Sequence, residues 1–179
     1  MSTWTNPDAH VWTVGEQATA DTLNQFQRDN QNATTHRYIT KQVDESVTSS
    51  TVQQNDNELL LAMSTNETWY VQLYVRWDGT GGNLDAFFTV PASGTFSMWA
   101  TSLSASFGYT IVSMRNGGSA QGFGDSSGSV VTPLAYIYGI CTTAGTSGNL
   151  QFTWAQNASS GTATTVKKGS TLFAQRLIP

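Results

Sequence analysis

The sequence has few charged side chains. Charged residues make up 11% of its 179 residues, against roughly 25% in typical soluble domains. The net charge is −4, and the largest basic cluster is the pair Lys167 and Lys168. Binding to a nucleic acid backbone requires many cations on one face. The composition therefore predicts that nucleic acid is not a partner.

Residues that commonly perform catalysis are also scarce. The one cysteine, Cys141, excludes an internal disulfide and a zinc site built on several cysteines. It lies in an apolar stretch without a neighbouring Lys, Arg or His, so we expect a buried, unreactive thiol. The two histidines, His10 and His36, have no nucleophile or metal partner at motif spacing. The sequence predicts no enzyme activity, no metal and no cofactor.

Long apolar runs are missing as well. The longest, within residues 58–64, is far shorter than the roughly 18 residues expected of a membrane-spanning helix. The first ten residues have neither a basic region nor an apolar one, so no signal peptide is predicted. We therefore expect no membrane insertion.

The sequence is rich instead in uncharged polar residues. It contains 26 Thr, 19 Ser, 11 Asn and 12 Gln, and 11% of its residues are aromatic. Thr and aromatic residues suit the pleated surface of a β-sheet. Residues 1–60 hold eight acids and three bases, whereas the remaining residues hold four acids and five bases. We therefore predict an acidic N-terminal segment, 1–42, followed by a β-domain, 43–179.

The N-terminal segment is predicted to contain one helix. Thr19 suits an N-cap and Asp21 suits a first helical turn, which predicts a helix over about 19–37. Leu23 and Phe26 are its strong apolar residues, a stripe too thin to be stable alone. We expect this segment to dock on its own β-domain or on another chain.

The rest of the chain is predicted to form short antiparallel strands. Turns rich in Gly, Ser and Asn separate most of them, and no helical pattern intervenes. This arrangement is typical of a β-sandwich, and we predict a jelly roll. The predicted strands are 43–52, 58–64, 68–77, 84–90, 95–101, 109–115, 129–132, 134–142, 150–156, 163–166 and 171–178.

Two of these strands carry large side chains on both faces. In 68–77 the face opposite the predicted core holds tyrosines with Gln72 and Arg76, and 134–141 is apolar on both faces. A loop lying over a central strand would explain the second strand. A subunit interface would also explain it, since oligomers bury Tyr and Trp. The residues predicted for a trimer interface are Tyr70, Tyr74, Tyr136 and Tyr138.

One turn has a superficial likeness to a calcium-binding loop. Asp78, Asn83 and Asp85 offer oxygen ligands, but the alternating acids and final Glu of an EF-hand are missing. A plain hairpin turn is the favoured interpretation, and ion binding is the alternative.

Exposed aromatic residues are candidate sugar platforms. Alternation assigns most of the tryptophans in the β-domain to the core rather than to a ligand surface. The Gly- and Ser-rich stretch 117–129 contains Phe123, which we predict to lie in a receptor-facing loop. The tryptophans considered are Trp69, Trp77, Trp99 and Trp154.

The N-terminal segment resembles a motif found in structural proteins of tailed bacteriophages. The pattern, W…W..GE..TA..LN…RDN, is formed here by Trp4-Thr-Asn-Pro7, Trp12-Thr-Val-Gly-Glu16, Thr19-Ala-Asp-Thr-Leu-Asn24 and Arg28-Asp-Asn30. The β-domain resembles the jelly roll of trimeric tumour-necrosis-factor and complement-like proteins. The segments that carry this second resemblance are Asn55-Asp-Asn-Glu-Leu59, Trp69-Tyr-Val-Gln-Leu73 and Ser170-Thr-Leu-Phe-Ala-Gln-Arg-Leu177.

These resemblances imply a component on the exterior of a phage particle. The N-terminal segment would attach to another virion protein, and a homotrimeric head would project outward. The residues predicted to attach it are Trp4, Trp12, Leu23, Phe26 and Arg28.

Our leading hypothesis is a non-enzymatic, tail-associated fibre or knob that binds a host receptor, such as a cell-surface glycan, through its outer loops. A capsid-surface decoration protein or head fibre is an alternative within the same class. A carbohydrate-binding module is the alternative from another class. A virion-borne hydrolase is disfavoured because no catalytic constellation is found.

Overall fold

The described part of the chain is mainly β-strand. The computed structural model describes residues 15, 19–21, 23–24, 36–79, 82–103, 109–116, 121–123 and 134–178, with the backbone alone at 102–103, 109–116, 121–123 and 178. No helix in these residues is long and apolar enough to cross a membrane. The strands found in them are β1 (His36–Thr40), β2 (Glu45–Val47), β3 (Gln54–Met63), β4 (Thr68–Asp78), β5 (Leu84–Thr89), β6 (Thr95–Leu103), β7 (Tyr109–Asn116), β8 (Gln121–Phe123), β9 (Leu134–Thr142), β10 (Gly148–Gln156), β11 (Thr164–Val166) and β12 (Thr171–Ile178).

The strands form two antiparallel sheets. The larger sheet has the order β1-β12-β4-β9-β6-β7, with β11 pairing both β4 and β2. The smaller sheet has the order β3-β10-β5-β8. Chain neighbours such as β3 and β4, or β9 and β10, lie in different sheets, so the chain crosses repeatedly between them. The prediction of a mainly β, antiparallel sandwich is confirmed.

The inner faces of the two sheets share one hydrophobic core. From the smaller sheet, Phe88 and Phe152 pack with ring centroids 5.4 Å apart. Phe88 also meets Phe96 of the larger sheet edge-on at 5.1 Å. The alternation predicted for β4 is confirmed, because every second residue is buried. These buried residues of β4 are Trp69, Val71, Leu73, Val75 and Trp77.

Cys141 lies in this core on β9. Its side chain is fully buried, and its Sγ lies 3.7 Å from the sulfur of Met63. Burial raises the pKa of the Cys141 thiol to about 12, since a thiolate is costly in an apolar environment. The expectation of a buried thiol is confirmed.

The sandwich begins earlier in the chain than predicted. His36–Thr40 forms β1, which pairs with β12 in the register Tyr38↔Phe173, so the predicted domain boundary at 43 is too late. The predicted helix over about 19–37 is wrong at its end, where 36 and 37 belong to the strand. Hydrogen bonding to β12, a partner far along the chain, decides the conformation there.

A short helical stretch is described within the predicted helix. Ala20, Asp21, Leu23 and Asn24 are helical, and the Leu23 N–H donates to the Thr19 carbonyl at 3.0 Å. Residues 25–35 of the predicted helix lie outside the described residues.

β8 also differs from the prediction. Gln121–Phe123 pairs with β5, with Phe123 opposite Leu84. Phe123 is therefore in an edge strand of the smaller sheet and not in a loop, because backbone pairing with β5 outweighs the local preference of Gly122 for turns. The predicted strand 129–132 lies outside the described residues.

Candidate functional site

The outward face of the larger sheet carries a cluster of aromatic residues. In β4 the outward positions alternate with the buried core residues, as the sequence predicts. The adjacent strand β9 brings Tyr136 opposite Tyr74 and Tyr138 opposite Gln72. We call this surface the outer aromatic face. Its members are Tyr38, Tyr70, Gln72, Tyr74, Trp99, Tyr136, Tyr138 and Phe173.

A central row of these residues crosses five strands. The register pairs Tyr38 of β1 with Phe173 of β12, and Phe173 with Gln72 of β4. Gln72 is paired with Tyr138 of β9, which is paired with Trp99 of β6. The Tyr38 and Phe173 rings lie 5.2 Å apart, and the Trp99 and Tyr138 rings stack at 5.7 Å. The row is therefore aromatic except for the amide at its centre.

The four tyrosines predicted for an interface come together around this row. Tyr74 and Tyr136 stack with centroids 4.6 Å apart, and Tyr136 and Tyr138 stack at 5.0 Å. Trp99 continues the same stack beyond Tyr138. Each such aromatic pair contributes roughly 0.5–1.5 kcal/mol beyond the area that it buries. The rings thus form a preordered surface.

Gln72 connects the hydroxyl groups of this surface. Its Nε2 donates to the Tyr70 Oη at 3.0 Å and to the Tyr136 Oη at 2.7 Å. Burial first, then hydrogen bonding and charge interaction with Tyr70, raise the pKa of Tyr136 well above its usual value. The Tyr136 phenol therefore stays neutral at physiological pH.

The outer aromatic face is uncharged. Tyr38 is 70% exposed and Tyr74 is 42% exposed, whereas most of the other aromatic rings are half-buried against one another. Along the three rows through Tyr70, Gln72 and Tyr74, the outward positions from β1 to β6 contain no Lys, Arg, Asp or Glu. An exposed aromatic patch without charge is characteristic of interaction surfaces.

Trp99 was not expected on this surface. The other three tryptophans considered as sugar platforms are buried in the core, and Trp99 alone of the four is half-buried on the outer face. The signal was present in the alternation of β6, since Phe96, Met98 and Ala100 occupy the opposite, buried face. Tyr38 and Phe173 were also missed, because their positions depend on the pairing of β1 with β12.

The two acids of the possible calcium loop have other polar partners. Asp78 Oδ2 lies 3.8 Å from the Lys167 ammonium, whereas Asp85 accepts a hydrogen bond from Gln53 at 3.0 Å. Burial raises the pKa of the Asp85 carboxyl. Asn83 has a positive φ of 57°, as in a tight turn. Among the described residues, no group of three or more His, Cys, Asp or Glu is placed to hold a metal ion.

Of the five residues predicted to attach the protein to the virion, the structure describes one. Leu23 is helical and 44% exposed, which leaves it accessible to a partner. Trp4, Trp12, Phe26 and Arg28 lie outside the described residues.

Comparisons with known proteins assign no family. No family model matches the chain, and the curated proteins give no match. A search of solved structures finds a chain from a structure of infectious bursal disease virus, Gx strain, with 11% sequence identity and a TM-score of 0.25. That similarity covers 81% of this chain and 42% of the viral chain, so this chain spans less than half of that chain's length. The TM-score is too low to establish a common fold.

Proposed function

We propose that this protein is a non-enzymatic structural component on the exterior of a tailed-bacteriophage particle, and that its subunits assemble as a homotrimer through the outer aromatic face. The observation that carries the proposal is the uncharged aromatic row across five strands, from Tyr38 to Trp99. A structural role needs such a surface and no catalytic group.

The chemistry of this face favours a second copy of the chain as its occupant. Phenol hydroxyls and the Gln72 amide both donate and accept hydrogen bonds, so this face can pair with another uncharged polar surface of a neighbouring copy. A partner with a charged surface would find no opposite charge here. Tyr and Trp are enriched at the centres of interfaces. Only 11% of the residues are charged, which also limits electrostatic repulsion between copies.

The strand order supports a jelly-roll head. The orders β1-β12-β4-β9 and β3-β10-β5-β8 are those of an eight-stranded jelly roll, to which the β6–β7 hairpin and the short strands β2 and β11 are added. This is the architecture implied by the resemblance to trimeric tumour-necrosis-factor and complement-like domains.

The residues before β1 would attach the head to another virion protein. Because β1 belongs to the sandwich, the attachment segment shortens from 1–42 to the residues before His36. We favour attachment to the tail, as a fibre or knob. A capsid-surface decoration protein or head fibre is the alternative, and detection of the protein on particles that lack tails would favour it.

The mass of the full chain in solution tests the assembly. We expect three times the chain mass of 19.3 kDa at micromolar concentration. Tyr138→Arg places a charge in the central row and is expected to give a folded monomer. Val52→Arg is the matched control, because Val52 is 76% exposed but lies in a loop outside this face. A monomeric wild-type protein, or a Tyr138→Arg variant that stays trimeric, would contradict the proposal.

A carbohydrate-binding role is the second candidate. The half-exposed stack of Trp99 on Tyr138 is the kind of flat aromatic surface on which a sugar ring can pack. This role predicts saturable glycan binding that Trp99→Ala abolishes while the trimer persists. Host-receptor binding near Phe123 stays a prediction, and Phe123→Ala tests it by adsorption to host cells.

A further inference from the structure

Lys41 is buried where the chain passes from β1 into the body of the sandwich. It follows β1 directly, and its backbone is clamped by the β11–β12 turn. The Lys41 N–H donates to the Ser170 carbonyl, and its carbonyl accepts from the Gly169 N–H, both at 2.8 Å. Its side chain is fully buried. A buried ammonium needs close partners, since it has lost its hydration.

Two carboxylates contact the Lys41 ammonium. Nζ lies 2.8 Å from the Asp56 Oδ2 and 2.9 Å from the Glu45 Oε2. Asp56 is as fully buried as Lys41, and the Glu45 side chain is 16% exposed. Glu58 is more distant, with its Oε2 at 3.7 Å from Nζ.

The second oxygen of Asp56 has different partners. Oδ1 accepts hydrogen bonds from the Glu58 N–H at 3.0 Å and from the Leu59 N–H at 2.9 Å. Two backbone donors fixed on one carboxyl oxygen stabilise negative charge that develops there, as in an oxyanion hole. The carboxyl therefore has an amine nitrogen beside one oxygen and an oxyanion site at the other.

We propose that Lys41 and Asp56 join in an intramolecular isopeptide bond, with Glu45 as the proton shuttle. One ammonium proton passes along the 2.8 Å hydrogen bond to Asp56 Oδ2, which leaves a free amine beside a neutral acid. The Nζ lone pair forms a bond to Cγ, and the carbonyl electron pair moves to Oδ1. Glu45 takes a second proton from the nitrogen and delivers it to Oδ2. The Cγ–Oδ2 bond then breaks, and that oxygen leaves as water.

The reaction balances without any other reagent. Ammonium and carboxylate become a neutral amide and one water molecule, and Glu45 returns to its starting carboxylate. Burial alone would lower the pKa of the Lys41 ammonium, but hydrogen bonds with Asp56 and Glu45 outweigh it and raise that pKa. The ion pair is therefore the starting state, and proton transfer within the cluster precedes attack. The fixed contact distance supplies the high effective concentration of an intramolecular reaction.

The bond would strengthen the point where the attachment segment joins the sandwich. Without the isopeptide bond, a mechanical force that pulls on the N-terminal segment acts on β1. This strand has five residues and is paired on one side with β12. With the isopeptide bond, the force passes from Lys41 directly to β3 in the smaller sheet. This consequence rests on the proposed function, but the bond itself does not.

The mass of the intact, denatured full chain tests the bond. We expect the sequence mass less one water molecule, and a branched peptide joining Lys41 to Asp56 in a protease digest. The branched peptide distinguishes the bond from water loss at an Asp-Gly sequence such as Asp78-Gly79. The full sequence mass after days at neutral pH would overturn the proposal. Oligomeric state does not affect this readout, so its failure and that of the trimer are separable.

Two glutamine substitutions test the role of Glu45. Glu45→Gln keeps the size of the side chain but removes the shuttle, so we expect a folded protein with the full mass. Glu58→Gln is the matched control, and we expect it to retain the water loss because Glu58 lies farther from Nζ. Water loss undiminished in Glu45→Gln would overturn the assigned shuttle. Circular dichroism establishes that each variant is folded.

Discussion

The two faces of strand β4 have different roles, although the residues that form them alternate along the strand. Leu73 points into the core and is fully buried, while Tyr74, the next residue, is 42% exposed on the outer aromatic face. Both faces are rich in large side chains, yet the inner one consists of aliphatic residues and tryptophans, and the outer one combines rings with hydroxyls and an amide. The inner face stabilises the fold, and the outer face has the composition of an interface.

The largest expected effect comes from breaking the inner face. Leu73→Ala removes a fully buried side chain and should lower the free energy of unfolding by about 2–5 kcal/mol. Urea unfolding in the Tyr138→Arg background measures this effect without a contribution from assembly. A loss below about 1 kcal/mol would mean that this core collapses around the gap.

The second largest effect is expected at alkaline pH, where ionisation of a buried thiol on the inner side of the sheet lowers the stability of the fold. The pKa of Cys141 is about 12 in the folded protein against 9.0 when unperturbed. A raised pKa gives stability that is complete below pH 9 and is lost as the pH rises towards 12. By pH 10.5 the thiol alone should cost about 2 kcal/mol.

Variants at the two faces identify which group titrates. Cys141→Ala should reduce the loss of stability that urea unfolding measures between pH 8 and pH 10.5. The pKa of Tyr136 is also raised, from 10.0, so its contribution declines at higher pH, and Tyr136→Phe should matter above pH 10. An unchanged pH profile in Cys141→Ala would contradict the assignment to the thiol.

A smaller effect on folding is expected from the outer face. Tyr74→Ala removes the 4.6 Å stack with Tyr136 and should cost the monomer about 1 kcal/mol. Its effect on assembly should be larger, with trimer dissociation favoured by roughly tenfold or more. Analytical ultracentrifugation over a concentration series measures this shift. If Leu73→Ala and Tyr74→Ala lowered the free energy of unfolding of the monomer equally, the proposed difference between the two faces would be wrong.

The smallest effect concerns the outer face of the other sheet. Asp85 lies there on β5, and burial raises the pKa of its carboxyl. A raised carboxyl pKa favours the folded protein at low pH, and this advantage is lost as the pH rises above the ordinary value. Asp85→Asn should therefore increase stability slightly at pH 7 and leave it unchanged at pH 3, as thermal unfolding at the two pH values will measure. A variant less stable at pH 7 would indicate that the Gln53 contact dominates.

The central strands could be predicted from alternation, but the edges could not. β4 has its inner face in the core, so its sequence alternates with a clear period of two, and β9 was recognised as a run that is apolar on both faces. β1 and β8 are short edge strands whose conformation depends on β12 and β5, which are distant in the chain. Local patterns therefore favoured a helix and a loop in their place.

The outer aromatic face was predictable in part for the same reason. Tyr70 and Tyr74 were identified because β4 alternates strongly, and Tyr136 and Tyr138 because their strand is apolar on both faces. Trp99 was not singled out, because most of the four tryptophans were assigned to the core together, although the parity of β6 points its side chain outward. The contacts of Lys41 had no sequence signal, since Glu45 and Asp56 meet it through the folding of three separate segments.

The position of β12 makes the larger sheet depend on contacts between distant parts of the chain. β12 follows the other described strands in the sequence, yet it lies between β1 and β4 and pairs with both. The larger sheet therefore cannot close until β12 is available to pair with β1 and β4, and such distant pairing slows folding. Phe173, which joins Tyr38 to the rest of the aromatic row, arrives with β12. The outer aromatic face is therefore complete only when β12 has paired with both neighbours.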